Sequence, residues 1–188
     1  TGSANTAVGY TSLYHNLTGS NNTAIGYEAM VGTSTKSNSD CIAIGKGSMQ
    51  GARAGDKNIA IGVGAMDDTN ADDTVGASAN NLFIGYDAGG GTWVTAASEH
   101  NIGIGNYSLD AAMNGALRNV AMGFAALGAV TTSDDNTAIG HNAGLAITTG
   151  VRNTIIGTVA GNSTTDVDYS VIIGYGAGQA DMTSDASG

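Results

Sequence analysis

Residues 5–29 read NTAVGYTSLYHNLTGSNNTAIGYEA, and within this stretch NTAVGY (5–10) returns as NTAIGY (22–27). The unit Asn-x-Ala-Ile-Gly then recurs along the chain as CIAIG (41–45), NIAIG (58–62), NLFIG (81–85), NIGIG (101–105), NVAMG (119–123), NTAIG (136–140), NTIIG (153–157) and SVIIG (170–174). Its ten glycines are Gly9, Gly26, Gly45, Gly62, Gly85, Gly105, Gly123, Gly140, Gly157 and Gly174, spaced by 17, 19, 17, 23, 20, 18, 17, 17 and 17 residues. A fixed period with occasional insertions marks a repeat architecture, not a single globular core. The insertions fall at 31–40, 66–80 and 89–100, and residues 1–188 read as one repeat region.

Other columns are nearly as strict. The residue before each glycine is Val, Ile or Met, and the third residue after it is always Ala or Ser, from Ser12 to Ala177. The fourth place holds Leu13, Met30, Met49, Met66, Leu109 or Leu127 in six copies and Gly in the rest. The residues leading into each glycine alternate in character, which is the period of a short β-strand. One strand face then carries Ile with Thr or Val, and the other carries Ala and Gly. The Asn that opens the strand and the Gly-, Ser- and Thr-rich stretches before it supply turns. Some of the glycines are expected at positive φ. A helix is a poor alternative, because Gly, Thr and Asn lower helix propensity and no helical stripe survives from copy to copy.

A 17-residue unit has room for two or three very short strands at most, so it suits one coil of a parallel β-solenoid and not a propeller blade. One coil buries too little apolar surface to offset its ordering entropy, and stability must come from stacking. About ten coils at ~4.8 Å give a rod of roughly 50 Å. The expectation is that the aliphatic residues before the glycines form a buried ladder, each Ile contributing on the order of 1.5–3 kcal/mol. Asn22, Asn58, Asn119, Asn136 and Asn153 are expected to form a second ladder, their amides bonding between coils and to turn backbone. With Ala on one face and two Phe in the chain, the core of a monomer is thin. Association along the flat Ala/Gly face or the Ile face would thicken it, and a homotrimer is expected.

NTAIGYEAM (22–30), NTAIGHNAG (136–144), TTGVRNTIIG (148–157) and the opening 5–29 resemble the YadA-like head repeats of trimeric autotransporter adhesins. They are closer still to the NTAIG arrays of phage tail-fibre and appendage proteins. That resemblance implies a left-handed parallel β-roll, assembled as a trimer in a surface-exposed fibre. The unit here is longer than the usual adhesin head repeat.

Composition agrees with a structural role. Glycine makes up 30 of 188 residues, proline is absent and only 12% of residues are charged, against a usual ~25%. Six Lys and Arg face sixteen Asp and Glu, for a net charge of −10. Without a basic patch there is no counterion release from phosphates, so nucleic acid is not an expected partner, nor is an anionic membrane surface. No stretch approaches the ~18 apolar residues of a membrane span. The chain opens inside a repeat and reads as part of something longer.

Reactive groups are sparse. Cys41 is the single cysteine and reads as a small core residue. His15, His100 and His141 are scattered through the register, and no motif pairs one with Cys41 for nucleophilic catalysis. The acidic pairs Asp67-Asp68, Asp72-Asp73, Asp134-Asp135 and Asp166/Asp168 fit neither an EF-hand loop nor the glycine-rich Ca²⁺ solenoid repeat. Gly89-Gly90-Gly91 and residues 103–105 lack the Lys and following helix of a phosphate loop. Sequons occur at Asn16, Asn106 and Asn162. Trp93, in the 89–100 insertion, is the one candidate ligand-binding side chain, as a loop ring that could stack on a sugar or dock a partner; packing of the insertion against the rod is the favoured alternative.

These readings favour a non-enzymatic chain with no cofactor. The leading expectation is an extracellular fibre segment of a phage tail fibre or similar appendage that supports attachment to a host cell. Its partners would be its own copies and a host-cell receptor or glycan. An adhesin head that binds matrix or glycan directly is the alternative. Ice binding by a flat Thr face fits less well, because Ile42, Ile59, Leu82, Ile102, Val120 and Val171 break the Thr column.

Overall fold

A computed structural model describes residues 2–32, 37–51, 55–67, 78–93 and 96–179. Each repeat contributes one three-residue strand: β1 (Thr6–Val8), β2 (Thr23–Ile25), β3 (Ile42–Ile44), β4 (Ile59–Ile61), β5 (Leu82–Ile84), β6 (Ile102–Ile104), β7 (Val120–Met122), β8 (Thr137–Ile139), β9 (Thr154–Ile156) and β10 (Val171–Ile173). The ten strands form a single parallel sheet in sequence order. Each strand pairs in register with the next, so that Ala24 lies opposite Ala43, Ala43 opposite Ala60 and Ile44 opposite Ile61. The chain is a β-solenoid, with one strand per coil and the remainder of each coil in turns. Parts of the three insertions lie outside the described residues, as do Asp68, Asp72 and Asp73.

The repeat glycine ends each strand and turns the chain. All ten glycines have φ between +127° and +144°, a region open to glycine and strained for other residues. The stack makes a second demand. A Cβ on Gly123 would lie 2.4 Å from the carbonyl oxygen of Gly140, and one on Gly45 would lie 2.3 Å from that of Gly62. The glycine column is therefore fixed both by its own torsion and by the coil beside it.

Left-handed conformation extends well beyond glycine. Three further positions of the coil are left-handed: the second and fourth residues after the glycine and the fifth before it. In the second coil these are Glu28, Met30 and Asn21, and elsewhere even Val159 at φ 51°. Such a residue costs roughly 1–2 kcal/mol in isolation. Here each one turns its amide along the rod to bond a neighbouring coil: Glu28 N–H donates to Tyr10 O at 2.9 Å, Met30 N–H to Ser48 O at 2.8 Å and Asn21 N–H to Ser3 O at 3.0 Å. The coil conformation is thus stable only within the stack.

The sheet faces the opposite way to the expected aliphatic ladder. In the middle of each strand from β2 to β10 a buried residue points inward: Ala24, Ala43, Ala60, Phe83, Gly103, Ala121, Ala138, Ile155 and Ile172. The residues on either side, including the Ile before each glycine, point outward and none is buried. A three-residue strand offers one inward side chain, and the narrow coil has room there for a small one. The rest of the interior is filled from the turns by Met30, Met49, Met66, Leu109, Leu127, Val130 and Ile147. The Ala/Gly face is therefore closed inside the coil.

Volume is conserved across this interior. Where the strand centre is large, the fourth residue after the glycine loses its side chain: Phe83 is matched by Gly89 and Ile155 by Gly161. A Cβ on Gly89 would meet the Phe83 ring at 2.8 Å, and one on Gly103 in the next coil would meet it at 2.6 Å. The exception, Ala138 with Gly144, is filled by neighbours. Leu127, Ile147 and Ile155 all come within 3.4 Å of a Cβ placed on Gly144.

The asparagines form a ladder down the interior. Asn136 donates its backbone N–H and its Nδ2 to Asn119 Oδ1 at 3.1 and 3.2 Å, and Nδ2 also donates to Gly150 O at 2.8 Å. Asn153 repeats this pattern on Asn136 and Val167, as Asn22 does on Asn5 and Asn38. Cys41 interrupts the ladder. Its Sγ lies 3.2 Å from both Ser39 O and Gly55 O, which compete for its single S–H, and accepts the Asn58 N–H at 3.4 Å; a thiol is a weaker donor and acceptor than the amide it replaces. Replacing Cys41 with Asn would supply the missing Oδ1 for both Asn58 donors. The substitution is expected to stabilise the fold by about 1 kcal/mol, read as a higher denaturant midpoint with an unchanged slope. A lower midpoint would show that the position has shrunk to fit sulfur.

Candidate functional site: the outward face of the sheet

Three outward columns run side by side along the rod. The first begins the strands and runs from Thr6 and Thr23 to Thr154 and Val171. The second ends them and reads Val8, Ile25, Ile44, Ile61, Ile84, Ile104, Met122, Ile139, Ile156 and Ile173. The third follows the glycines and reads Tyr10, Tyr27, Lys46, Val63, Tyr86, Asn106, Phe124, His141, Thr158 and Tyr175. These thirty positions contain no carboxylate and one charged side chain, Lys46, in a chain with sixteen acidic residues. Seventeen large hydrophobic residues are exposed among the described residues, and all but Tyr14, Leu17 and Tyr169 lie in these columns or, as Tyr107 does, beside them. The face is continuous over ten in-register strands, a length of roughly 43 Å at ~4.8 Å per step.

An aromatic rim borders the face. Tyr10 stacks on Tyr27 at 5.4 Å between centroids. Tyr86, Tyr107, Phe124 and His141 continue it in successive contacts of 5.4, 5.6 and 5.3 Å. His141 follows Gly140 in the column that holds Tyr10, Tyr27, Tyr86 and Tyr175, but that spacing alone does not reveal the ring-to-ring ladder. Tyr107 joins it from the neighbouring column, and only the folded register brings it there.

Charged side chains gather on other surfaces. Arg118 Nε donates to Asp135 Oδ1 at 2.6 Å, and Arg152 lies 3.7 Å from the other Asp135 oxygen, so the like charges of neighbouring coils are kept apart by an opposite one. The Arg118 guanidinium holds the Asp135 carboxyl below its ordinary range. Exposed pairs of this kind contribute little to stability.

A polar depression of about 390 Å³ is lined by Gln50, Gly51, Asp67 and Gly90. Asp67 and Asp110 approach its edge, with one oxygen of each within 3.2 Å of a Cβ placed on Gly90. Partial burial, and then the Asp87 charge, push the Asp110 carboxyl up from 3.8 to about 6, opposed by the Gly90 N–H. Its folded value lies above its unfolded one, so the neutral form favours folding. That contribution is complete below pH 3.8 and is lost as the pH rises through 6. Asp110→Asn is expected to raise stability at pH 7.5 by about 1–2 kcal/mol, after discount for solvent screening, and to change it little at pH 4. Thermal melts of the two proteins at both values would check this.

The remaining sequence candidates are dispersed. Trp93 is 1% exposed and packs edge-on against Phe83 at 5.7 Å, so it fills the core and presents no ring face for a sugar. Of the two readings of Trp93, this burial agrees with packing against the rod and not with an exposed loop platform: the indole occupies the space beside Phe83. His15 contacts Tyr14, and His100 lies 3.9 Å from Glu99. Burial raises the Cys41 thiol to about 11, and no histidine is among its hydrogen-bond partners. Among the described residues no three His, Cys, Asp or Glu side chains are grouped to hold a metal ion, and no helix is long and apolar enough to cross a membrane.

The chain matches no family model, no curated protein and no solved structure.

Proposed function

We propose that this chain is a structural fibre segment, of a phage tail fibre or a similar extracellular appendage, that supports attachment to a host cell and works as a homotrimer. The observation that carries the reading is the concentration of exposed apolar side chains, with exclusion of carboxylates, on one straight face of a regular rod. Apolar faces of this extent on soluble proteins mark interaction sites. A periodic face meets another of the same period at every rung, so further copies of the chain are the natural partners. Three rods with their sheets turned inward would bury the Ile columns and leave the acidic turns in water, and such a bundle is stiff along its length. The ladder of identical coils supplies length and rigidity, the needs of a spacer between an anchor and a tip.

Light scattering coupled to sizing tests this. The expected mass is three times the 18.5 kDa of the chain, and Ile139→Lys, which places a charge mid-face, is expected to reduce it to one. A wild-type chain that stays monomeric at high concentration would refute the trimer.

A further inference from the structure

We propose that Met122 is the peroxide-sensitive methionine among the described residues and that its sulfoxide blocks association through the outward face, an inference that rests on the self-assembly reading above. Met122 is the one thioether in the column of residues before the glycines, and its register partners on either side, Ile104 and Ile139, are saturated hydrocarbon. It is 41% exposed, whereas Met30, Met49, Met66 and Met113 are 0–1% exposed in the interior. Thioether oxidation follows access. The four interior sulfurs react only after the stack opens, while the Met122 sulfur stands in solvent in the unassembled chain.

The reaction needs hydrogen peroxide or an organic peroxide as oxidant. The sulfur lone pair attacks one peroxide oxygen, the S–O bond forms as the O–O bond breaks, and the other oxygen leaves with the proton as water or an alcohol. Sulfur loses two electrons and the peroxide gains them. The product carries a strongly polar S–O acceptor in the middle of an apolar column. Its neighbours Ile104, Ile139 and Phe124 have no side-chain donor to satisfy it, and burying an unpaired acceptor against a partner chain is costly. Oxidised chains therefore stay apart until the sulfoxide is reduced.

The test treats dilute protein with hydrogen peroxide, quenches with free methionine, maps oxidation by peptide mass spectrometry, and measures mass by light scattering after concentration. Met122 is expected to oxidise at least about tenfold faster than the four interior methionines. The oxidised chain should remain monomeric while the untreated chain trimerises, and methionine sulfoxide reductases acting on both epimers should restore the trimer. Equal rates at Met122 and the four interior methionines, or full assembly of the Met122 sulfoxide, would overturn the proposal. So would a chain that is trimeric at every dilution and whose Met122 resists peroxide. If the untreated chain never assembles, the regulatory step falls with the trimer itself, and the relative oxidation rates still decide the reactive site.

Discussion

Gly123→Ala is expected to destabilise the protein by about 4 kcal/mol or more, enough to abolish a single cooperative melt. Two independent terms contribute. The residue sits at φ +136°, and a Cβ there would lie 2.4 Å from Gly140 O and 2.6 Å from its carbon. The opposing atoms are backbone held in the sheet, so relief requires neighbouring coils to part. Coils stabilise only their neighbours, and a break at one rung weakens the stack on both sides. Gly47→Ala is the matched control. Its φ is +66°, and the nearest atom to an added Cβ is the mobile end of Gln50 at 3.2 Å. It is expected to cost about 1 kcal/mol, the left-handed penalty alone. Urea titrations of the two variants would separate torsion from stacking. Equal losses would mean that the coils are not held at the spacing described.

Asn119→Ala is expected to cost about 4 kcal/mol. The side chain bridges three coils: Nδ2 donates to Asn101 Oδ1 at 3.1 Å and to Ser133 O at 2.7 Å, and Oδ1 accepts from Asn136 N and Nδ2 at 3.1 and 3.2 Å. Truncation strands the Asn136 N–H and the Ser133 carbonyl in the interior. Both residues are fully buried, and each orphaned group costs about 1–3 kcal/mol. Amide hydrogen exchange at Asn136 should accelerate with the loss of global stability. A variant that melts within about 1 kcal/mol of the wild type would show that the ladder is satisfied by water.

The period and the class of fold were legible in the sequence, because a strict glycine column with alternating neighbours leaves few architectures that stack. The direction of the sheet was not. Alternation says that Ile and Ala lie on opposite faces but not which face is inside, and the larger residue is the usual choice for a core. Coil width decided otherwise, and it is set by the left-handed turns at Glu28, Met30 and their equivalents, which Gly47, Gly64, Gly144 and Gly161 announce in some copies but Leu, Met and Val conceal in others. A signal was nonetheless present. Gly at the fourth place after the repeat glycine accompanies Phe83, Ile155 and Ile172 at the strand centre, and such compensation is expected only between residues that share an interior. The asparagine column was readable because an amide repeated at every coil can satisfy its twin. The outward face followed from the same columns once their direction was known, whereas packing of Trp93 could be expected from a lone large aromatic but its partner Phe83 could not be read from the insertion alone.

The most direct test of the self-assembly account is solvent paramagnetic relaxation of isoleucine methyls, measured by NMR below and above the assembly concentration. Ile147 and Ile155, in the core, should be protected in both samples. Ile25, Ile61, Ile104 and Ile139 should be relaxed by the probe in the dilute sample and protected in the assembled one. Outward methyls that remain open to the probe after assembly would contradict the account.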